Sequence, residues 1–201
     1  MKNLVLNTPI IKITRLVITI IFVSMFSLSA QTSRKDSGAS ELSVKPLHVG
    51  DNVPEDFWSH KVKIYTQGDT ATIELAKYKG KPLILDFWST SCGTCIYYFP
   101  KLIAIQRHFG SILNILLVNS FTKRDTYAKI NNMPNDILRA NELPSVYLDD
   151  YLIKLFPHGP IPHYVWISEK GRISAITIKE FVAINQVNIL TDLNRNHEDI
   201  N

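Results

Sequence analysis

The sequence predicts an α/β domain built on a central sheet that contains parallel strands. Three consecutive segments support this prediction. Residues Leu83–Trp88 form a short apolar run, typical of a strand buried on both faces. Between Cys95 and Phe109 apolar side chains recur at helical spacing, and Gly110 ends the pattern. A second apolar run, Ile112–Asn119, follows, and the order strand, helix, strand indicates a parallel unit.

Further strands are predicted on both sides of this unit. Upstream, residues 62–75 (VKIYTQGDTATIEL) indicate two short strands around a turn at Gln67–Asp69. Downstream, His163–Ser168 and Arg172–Thr177 are predicted to pair, because the link Glu169–Gly171 suits a hairpin. The expected sheet is therefore mixed, with an N-terminal strand extension.

Two helical regions complete the predicted domain. The polar segment Lys123–Leu143 is predicted to be an insertion with one or two helices, interrupted at Pro134 and at Pro144. Phe181–Leu193 is predicted to form a closing helix. The insertion is a candidate for partner specificity, although its residues name no partner.

The N-terminus is typical of a secretory signal. Positive charges precede the apolar run Leu16–Phe26, and small residues lead to Ala30. We therefore predict a signal peptide over residues 1–30, a flexible polar linker over residues 31–46 and one folded domain over residues 47–201. The expected location is extracytoplasmic, periplasmic or membrane-associated. An uncleaved anchor is the alternative, but the run is shorter than the roughly 20 residues that span a bilayer.

The composition indicates one folded domain, and the charge gives no support for a nucleic-acid-binding protein. The chain has 201 residues, of which 45% are hydrophobic, enough to bury one sizeable core. Its net charge is +4, but Lys2, Lys12 and Arg15 lie in the predicted signal, where there are no acids. A nucleic-acid surface needs clustered Lys and Arg, so no nucleic-acid partner is expected.

Cys92 and Cys95 are the only cysteines, and three interpretations compete: a redox pair, a structural disulfide or half of a metal site. A structural disulfide stabilises more when it closes a longer loop, and this loop is very short. Zinc needs four ligands, and neither a second Cys pair nor a suitably spaced His pair completes such a set. No metal is therefore expected.

The position of the pair between a predicted strand and a predicted helix favours redox chemistry. A thiol at a helix N-terminus meets unpaired N–H groups and the positive end of the helix dipole, which both favour the thiolate. Cys92 is therefore the expected nucleophile. Cys95, turned into the helix, is expected to attack the mixed disulfide and release the product.

With these motifs the chain resembles the thioredoxin superfamily, and within it the exported TlpA/ResA-like thiol-disulfide oxidoreductases. The resemblance covers roughly residues 47–194. DFW resembles the central strand, CGTC the redox motif, Pro100 the helix proline, and GPIPHYVWIS with EKGRI the cis-proline loop, strand and hairpin turn. The resemblance implies a thioredoxin-like fold, a central mixed sheet flanked by helices.

The resemblance also implies roles for individual residues. Asp86 is expected to be the buried acid that exchanges a proton with Cys95, and burial would raise its pKa toward a useful range. Pro162 is expected to be a cis-proline that faces the cysteines, and Ile161 to pair through its backbone with an extended substrate segment. Trp88 is a candidate substrate contact, with core packing as the alternative.

The chain departs from the family pattern next to the cysteines. Ser91 stands where the family usually has Trp, and Gly93-Thr94 stands in place of the more usual Gly-Pro. Either change could shift the reduction potential, and the sequence does not give the direction. His163, next to Pro162, is a candidate for tuning the thiolate or an ordinary strand-end histidine.

The expected function is thiol-disulfide exchange with protein substrates, in the direction of disulfide reduction. No cofactor is expected, the protein is expected to be a monomer, and a membrane electron donor could re-reduce the pair. One alternative is an AhpC/TSA-type thiol peroxidase, although Thr90 is closer to Cys92 than the Pro-x-x-x-Thr-x-x-Cys frame of such enzymes requires. Another is a redox-inert thioredoxin-fold binding module.

Overall fold

The computed structural model describes residues 44–110, 112–133, 138, 142–187 and 189. The predicted signal peptide and residues 31–43 of the predicted linker lie outside this part of the chain, so both stay predictions. Within the described part, no helix combines the length and the apolar character that a bilayer span requires.

The described residues form one mixed sheet of seven strands, in the order β2-β1-β5-β4-β3-β6-β7. The strands are β1 (Lys61–Thr66), β2 (Asp69–Glu74), β3 (Leu83–Trp88), β4 (Asn114–Asn119), β5 (Ser145–Val146), β6 (His163–Ile167) and β7 (Ile173–Thr177). β3, β4 and β5 run parallel, while the outer pairs β1–β2, β1–β5, β3–β6 and β6–β7 are antiparallel. The mixed sheet and the N-terminal strand extension agree with the prediction.

β3 lies in the middle of the sheet and is buried along its whole length. Its apolar side chains alternate between the two faces, as strand geometry requires. Ile84 and Trp88 pack into the core on one face, and Leu85 and Phe87 pack into the core on the other. Asp86 stands between Ile84 and Trp88 in this alternation, so it points to their face.

Helices cover both faces of the sheet. Among the described residues, three α-helices run their full length: α1 (Gly93–Phe109), α2 (Tyr127–Asn131) and α3 (Asp150–Leu155). α1 buries Cys95, Phe99, Leu102 and Ile105 against the face that carries Ile84, Asp86 and Trp88. α3 packs on the opposite face, which carries Leu85 and Phe87. Strand β3, helix α1 and strand β4 therefore form the parallel unit that the sequence predicts.

A tight turn joins β1 to β2. Gln67 and Gly68 both have positive φ, 52° and 98°, and a turn of this kind matches the twist of the two strands. Glycine adopts such angles without a steric cost, which explains Gly68. The predicted strands and their turn are confirmed in this segment.

Other predicted elements are only partly seen. The insertion Lys123–Leu143 contains the five-residue helix α2, and residues 134–137 and 139–141 within it lie outside the described part. Of the predicted closing helix, residues 184–187 and 189 are helical, and residues 188 and 190–193 lie outside the described part. Two short elements, β5 and α3, were not predicted.

Candidate active site

The turn after β3 places Cys92 at the first position before α1. The backbone N–H of Cys92 donates to the carbonyl of Ser89 at 3.1 Å, and the Cys92 side chain caps the helix. Its sulfur accepts a hydrogen bond from the backbone N–H of Cys95 at 3.1 Å. Because that N–H and the helix dipole both favour negative charge, the geometry would stabilise a thiolate at Cys92 in the reduced protein.

Cys92 and Cys95 form a disulfide, with their Cα atoms 5.3 Å apart. The two sulfurs differ in access, because Cys92 is half-buried and Cys95 is 0% exposed. Only Cys92 can meet an incoming sulfur without movement of the helix. The predicted division between an attacking and a resolving cysteine fits this arrangement.

Asp86 lies on the sheet face that α1, the helix of the cysteine pair, covers. Its side chain is 0% exposed, and neither carboxyl oxygen has a hydrogen-bond partner among the described residues. Burial raises the pKa of Asp86 well above its usual range. Cys95 belongs to the same buried cluster as the neighbours of Asp86, namely Ile84, Trp88 and Tyr164. The predicted burial of this acid is therefore present.

Ile161 and Pro162 lie beside the C-terminal end of β3. The cysteine turn begins at the same end of that strand. The ladder between β3 and β6 ends at the pair Phe87–His163, directly after Pro162. The Ile161–Pro162 peptide bond is cis, as the resemblance implies. Pro162 is buried and Ile161 is half-buried. The backbone of Ile161 forms no hydrogen bond with another described main-chain group.

The expectation of a substrate contact at Trp88 is corrected. Trp88 is 0% exposed and stacks edge-on against Phe99 of α1. Its indole N–H donates to the hydroxyl of Ser145 on β5 at 2.9 Å. A side chain so enclosed cannot touch a substrate at the surface, so the role of Trp88 is to join the sheet to α1.

His163 points to the face opposite α1. It pairs in register with Phe87, and its ring stacks on that of His158 with the centroids 4.9 Å apart. Burial, together with His158, lowers the pKa of His163 to about 4. The interpretation as a strand-end histidine fits this position, and the interpretation as a thiolate-tuning residue gains no contact from it.

Asp125 holds the cysteine turn and was not among the residues predicted for the site. Its carboxylate accepts from the backbone N–H and the hydroxyl of Thr90, both at 2.7 Å. It also accepts from the Asn119 amide at 2.9 Å and the Lys129 ammonium at 3.0 Å. Loops that follow neighbouring parallel strands meet at one edge of a sheet, so the first acid after β4 was a detectable signal. Asp125 thereby fixes the turn two residues before Cys92.

We expect Asp125→Ala to lower the free energy of unfolding at pH 7 by about 2–4 kcal/mol, because it removes a buried hydrogen-bonded carboxylate. Burial alone would raise the pKa of Asp125, but the hydrogen bonds from Asn119, Thr90 and Lys129 lower it below its usual value. The stabilisation is therefore complete above the unfolded-state pKa, about 3.9, and is lost as pH falls through the lower folded-state pKa.

Urea unfolding of the wild type and the variant between pH 2.5 and 7 measures this difference, on the order of a few kcal/mol. Asp69→Ala, at an exposed position in β2, is the matched control and should change little. A loss at pH 7 that equals the control, or a loss that does not shrink at low pH, would contradict the role of Asp125.

The two departures from the family pattern lie at the surface. Ser91 and Thr94 are both exposed. The Ser91 hydroxyl is 3.2 Å from that of Ser89, inside the same turn. Ser91 therefore offers a small polar surface beside Cys92. Among the described residues, no group of three or more His, Cys, Asp and Glu side chains is arranged to hold a metal ion.

No family model matches the chain. The structure is similar to the thioredoxin domain of a thiol-disulfide oxidoreductase from Bacteroides vulgatus, with a TM-score of 0.52 and 20% identity. That match covers 73% of this chain and 98% of the other. It is also similar to the pneumococcal exposed lipoprotein thioredoxin of Streptococcus pneumoniae, with a TM-score of 0.53, 21% identity and coverage of 66% of this chain and 99% of the other.

A third similar structure is AhpC from Enterococcus faecalis. It has a TM-score of 0.55 and 12% identity, and the match covers 74% of this chain and 92% of the other. These similarities show that the chain has a thioredoxin-like fold. Because an oxidoreductase domain, a lipoprotein thioredoxin and AhpC all share this fold, the fold alone does not identify an activity. The activity has to be inferred from the site.

Proposed function

We propose that this protein is an extracytoplasmic thiol-disulfide oxidoreductase of the TlpA/ResA-like kind, which reduces disulfides in protein substrates. The observation that carries the proposal is the unequal burial of a disulfide-bonded pair at a helix N-terminus. Cys92 is half-buried, and its sulfur receives a backbone N–H, while Cys95 is enclosed. This is the arrangement that sequential attack and resolution need.

In the first step the thiolate of Cys92 attacks one sulfur of the substrate disulfide. The substrate S–S bond breaks, a bond forms between Cys92 and that sulfur, and the other substrate sulfur leaves as a thiolate. The N–H of Cys95 and the dipole of α1 stabilise the attacking anion. The fixed turn, held by Asp125 through Thr90, keeps Cys92 at the surface.

In the second step Asp86 accepts the proton of Cys95, and the Cys95 thiolate attacks the Cys92 sulfur of the mixed disulfide. The intramolecular disulfide forms, and the second substrate thiolate leaves. A base works best when its pKa is near the working pH, and burial raises the pKa of Asp86 in that direction. When the pair is re-reduced, the protonated acid returns the proton to Cys95.

The backbone of Ile161 is the proposed contact for the substrate chain. It lies beyond the end of the β3–β6 ladder and forms no main-chain hydrogen bond with the described residues. An extended substrate segment can pair with such a backbone by strand addition. Pro162 is buried, so its part is to shape the loop.

Export is a separate part of the proposal and depends on the predicted signal over residues 1–30. Outside the cytoplasm a reductase needs a supply of electrons, so a membrane protein that reduces the pair is the proposed electron donor. The N-terminal sequence of the mature protein, recovered from fractionated cells, tests the export. An intact N-terminus in the cytoplasmic fraction would contradict it.

The activity is tested by reduction of insulin disulfides with dithiothreitol as the electron source. We expect the protein to accelerate the reduction, and we expect protein alkylated at both cysteines to have no effect. The direction is tested by the reduction potential, for which we expect a value near that of thioredoxin, about −270 mV. Insulin reduction no faster than with the alkylated protein would contradict the exchange activity, and a potential near about −120 mV would contradict the reductase role.

A further inference from the structure

Tyr164 on β6 lies beside the buried acid. It pairs in register with Asp86 of β3, so the two side chains leave the sheet on the same face, the one covered by α1. Both residues are 0% exposed. The neighbour of Asp86 on the other side, Leu117 of β4, is apolar. Of the two strand neighbours of Asp86, only Tyr164 has a polar side chain.

The polar atoms of both side chains lack ordinary partners. The two carboxyl oxygens of Asp86 and the hydroxyl of Tyr164 are buried without a hydrogen bond to the described residues. A buried polar group without a partner is destabilising, so two of them side by side call for a functional reason. The two groups do not hydrogen-bond to each other in this structure. A change of side-chain rotamer that brought them together would let them pair in either protonation state, because a hydroxyl both donates and accepts.

The charges that act on Tyr164 include one from the protein surface. Its neighbour on β7 is Thr177, which does not titrate. The titratable groups that influence it are Asp86, Tyr98 of α1 and Glu180, which follows Lys179 in a short 3-10 turn. Burial, then the charge of Asp86, then Tyr98 and Glu180, raise the pKa of Tyr164, so it remains a protonated phenol.

Glu180 and Lys179 lie at the rim. Glu180 is exposed, and the Lys179 ammonium is 3.6 Å from its carboxylate. Lys179 also lies 6.0 Å from the ring centroid of Tyr98, which is half-buried. Tyr164 therefore pairs with an enclosed acid and is influenced by the charge of an exposed residue, Glu180.

We propose that Tyr164 is a positioning residue for the resolving step. It passes a proton between Asp86 and the exposed rim at Glu180. This proposal rests on the exchange function proposed above. Asp86 takes the proton of Cys95 as the thiolate attacks. The protonated acid then donates to the Tyr164 oxygen, while the phenol gives its own proton to water or carboxylate at the rim. Tyr164 is unchanged at the end, and Asp86 is again a carboxylate.

The test follows the reaction of the reduced protein with one equivalent of 5,5′-dithiobis(2-nitrobenzoate). Attack by Cys92 releases the first thionitrobenzoate, and attack by Cys95 on the mixed disulfide releases the second. We expect Tyr164→Phe to leave the first phase unchanged and to slow the second about tenfold. The pH midpoint of the second phase should rise, because the Asp86 carboxylate loses a donor.

Tyr78→Phe is the matched control, since Tyr78 is also a buried tyrosine whose hydroxyl lacks a partner among the described residues. It packs on the opposite face of the sheet and should leave both phases unchanged. Glu180→Gln, at an exposed position, tests the rim without endangering the fold and should slow the second phase about threefold.

The outcomes separate the two proposals. If the wild type shows neither phase, the exchange function itself fails. If the wild type shows both phases, and Tyr164→Phe and Glu180→Gln keep its rates and its pH midpoint, the relay is overturned while the exchange function stands. Equal slowing by Tyr78→Phe would also overturn the relay, because the effect would then be one of packing.

Discussion

Cys95→Ser should convert the protein into a covalent trap for its substrates. Cys92 would still attack, because its access and its hydrogen bond from the backbone at position 95 do not depend on the second sulfur. The mixed disulfide would then persist, since no enclosed thiol remains to displace the substrate. We expect adducts that disappear on addition of dithiothreitol, seen by mass spectrometry and by non-reducing gels of tagged protein from cells.

Cys92→Ser is the matched control, because it removes the accessible sulfur and keeps the enclosed one. It should form no adducts and should slow exchange at least about a thousandfold, as loss of a nucleophile does. If Cys92→Ser trapped partners and Cys95→Ser did not, the two roles would be reversed, and equal trapping would show that the roles are not divided. Partners retained by both variants without covalent adducts would instead favour the redox-inert binding module.

The thiol peroxidase alternative makes a different prediction for Cys95→Ser. Under that alternative, hydrogen peroxide would oxidise Cys92 rapidly to a sulfenic acid, which reagents for sulfenic acids detect. Thr90, whose hydroxyl donates to Asp125, is committed to the turn. We therefore expect slow oxidation, at the rate of an ordinary thiol, and rapid consumption of peroxide would favour the alternative.

Asp86→Asn should stabilise the oxidised protein, and the gain should grow with pH. Burial raises the pKa of Asp86 in the folded state, so between the unfolded-state pKa and the folded-state pKa only the native state holds the proton. In that window wild-type stability falls by about 1.4 kcal/mol per pH unit. Asn cannot ionise and lacks this slope. We expect equal stability near pH 4 and a gain that grows by about 1.4 kcal/mol per pH unit above it, until the folded-state pKa is reached.

The same variant should be slower in the resolving step, the attack of Cys95 on the mixed disulfide. Without a base for Cys95, the second phase of the two-phase reaction should slow by about a hundredfold or more, while the first phase is kept. Urea unfolding from pH 4 to 8 and the stopped-flow reaction give the two readouts. Asp69→Asn, on the exposed edge of β2, is the control for both. A variant with wild-type resolution would remove Asp86 from the mechanism.

The parts of the fold that the sequence predicted well are those with strong local patterns. β3 and β4 are mainly apolar runs, and α1 repeats its apolar residues over four turns, so length and period distinguish them. β5 has two residues, Ser145 and Val146, and exists only because β1 and β4 pair with it on either side. Such an element has no period, and α3, with six residues, is little longer.

The site shows the same division between local and long-range information. The cysteine spacing and the cis-proline loop are contiguous motifs, and they could be identified from the chain alone. Asp125 and Tyr164 matter through pairing with residues far away in sequence, at Thr90 and Asp86, so no local motif marks them, and the signal for Asp125 was its place after β4. The prediction of a substrate contact at Trp88 was wrong for a related reason. The sequence around an aromatic residue at a strand end does not show how deeply its side chain is buried.

The register of β3 against β6 also bears on the order in which the site is completed during folding. The two sulfurs are three residues apart and can meet while the rest of the chain is still unfolded. Asp86 meets Tyr164 only when distant strands pair, and loop closure makes such long-range contacts slow to form. The newly made chain therefore carries sulfur chemistry before it has the machinery that handles the proton. The proposed exchange would therefore be fast and selective only once the sheet is paired, because the motif alone supplies only the reactive atoms.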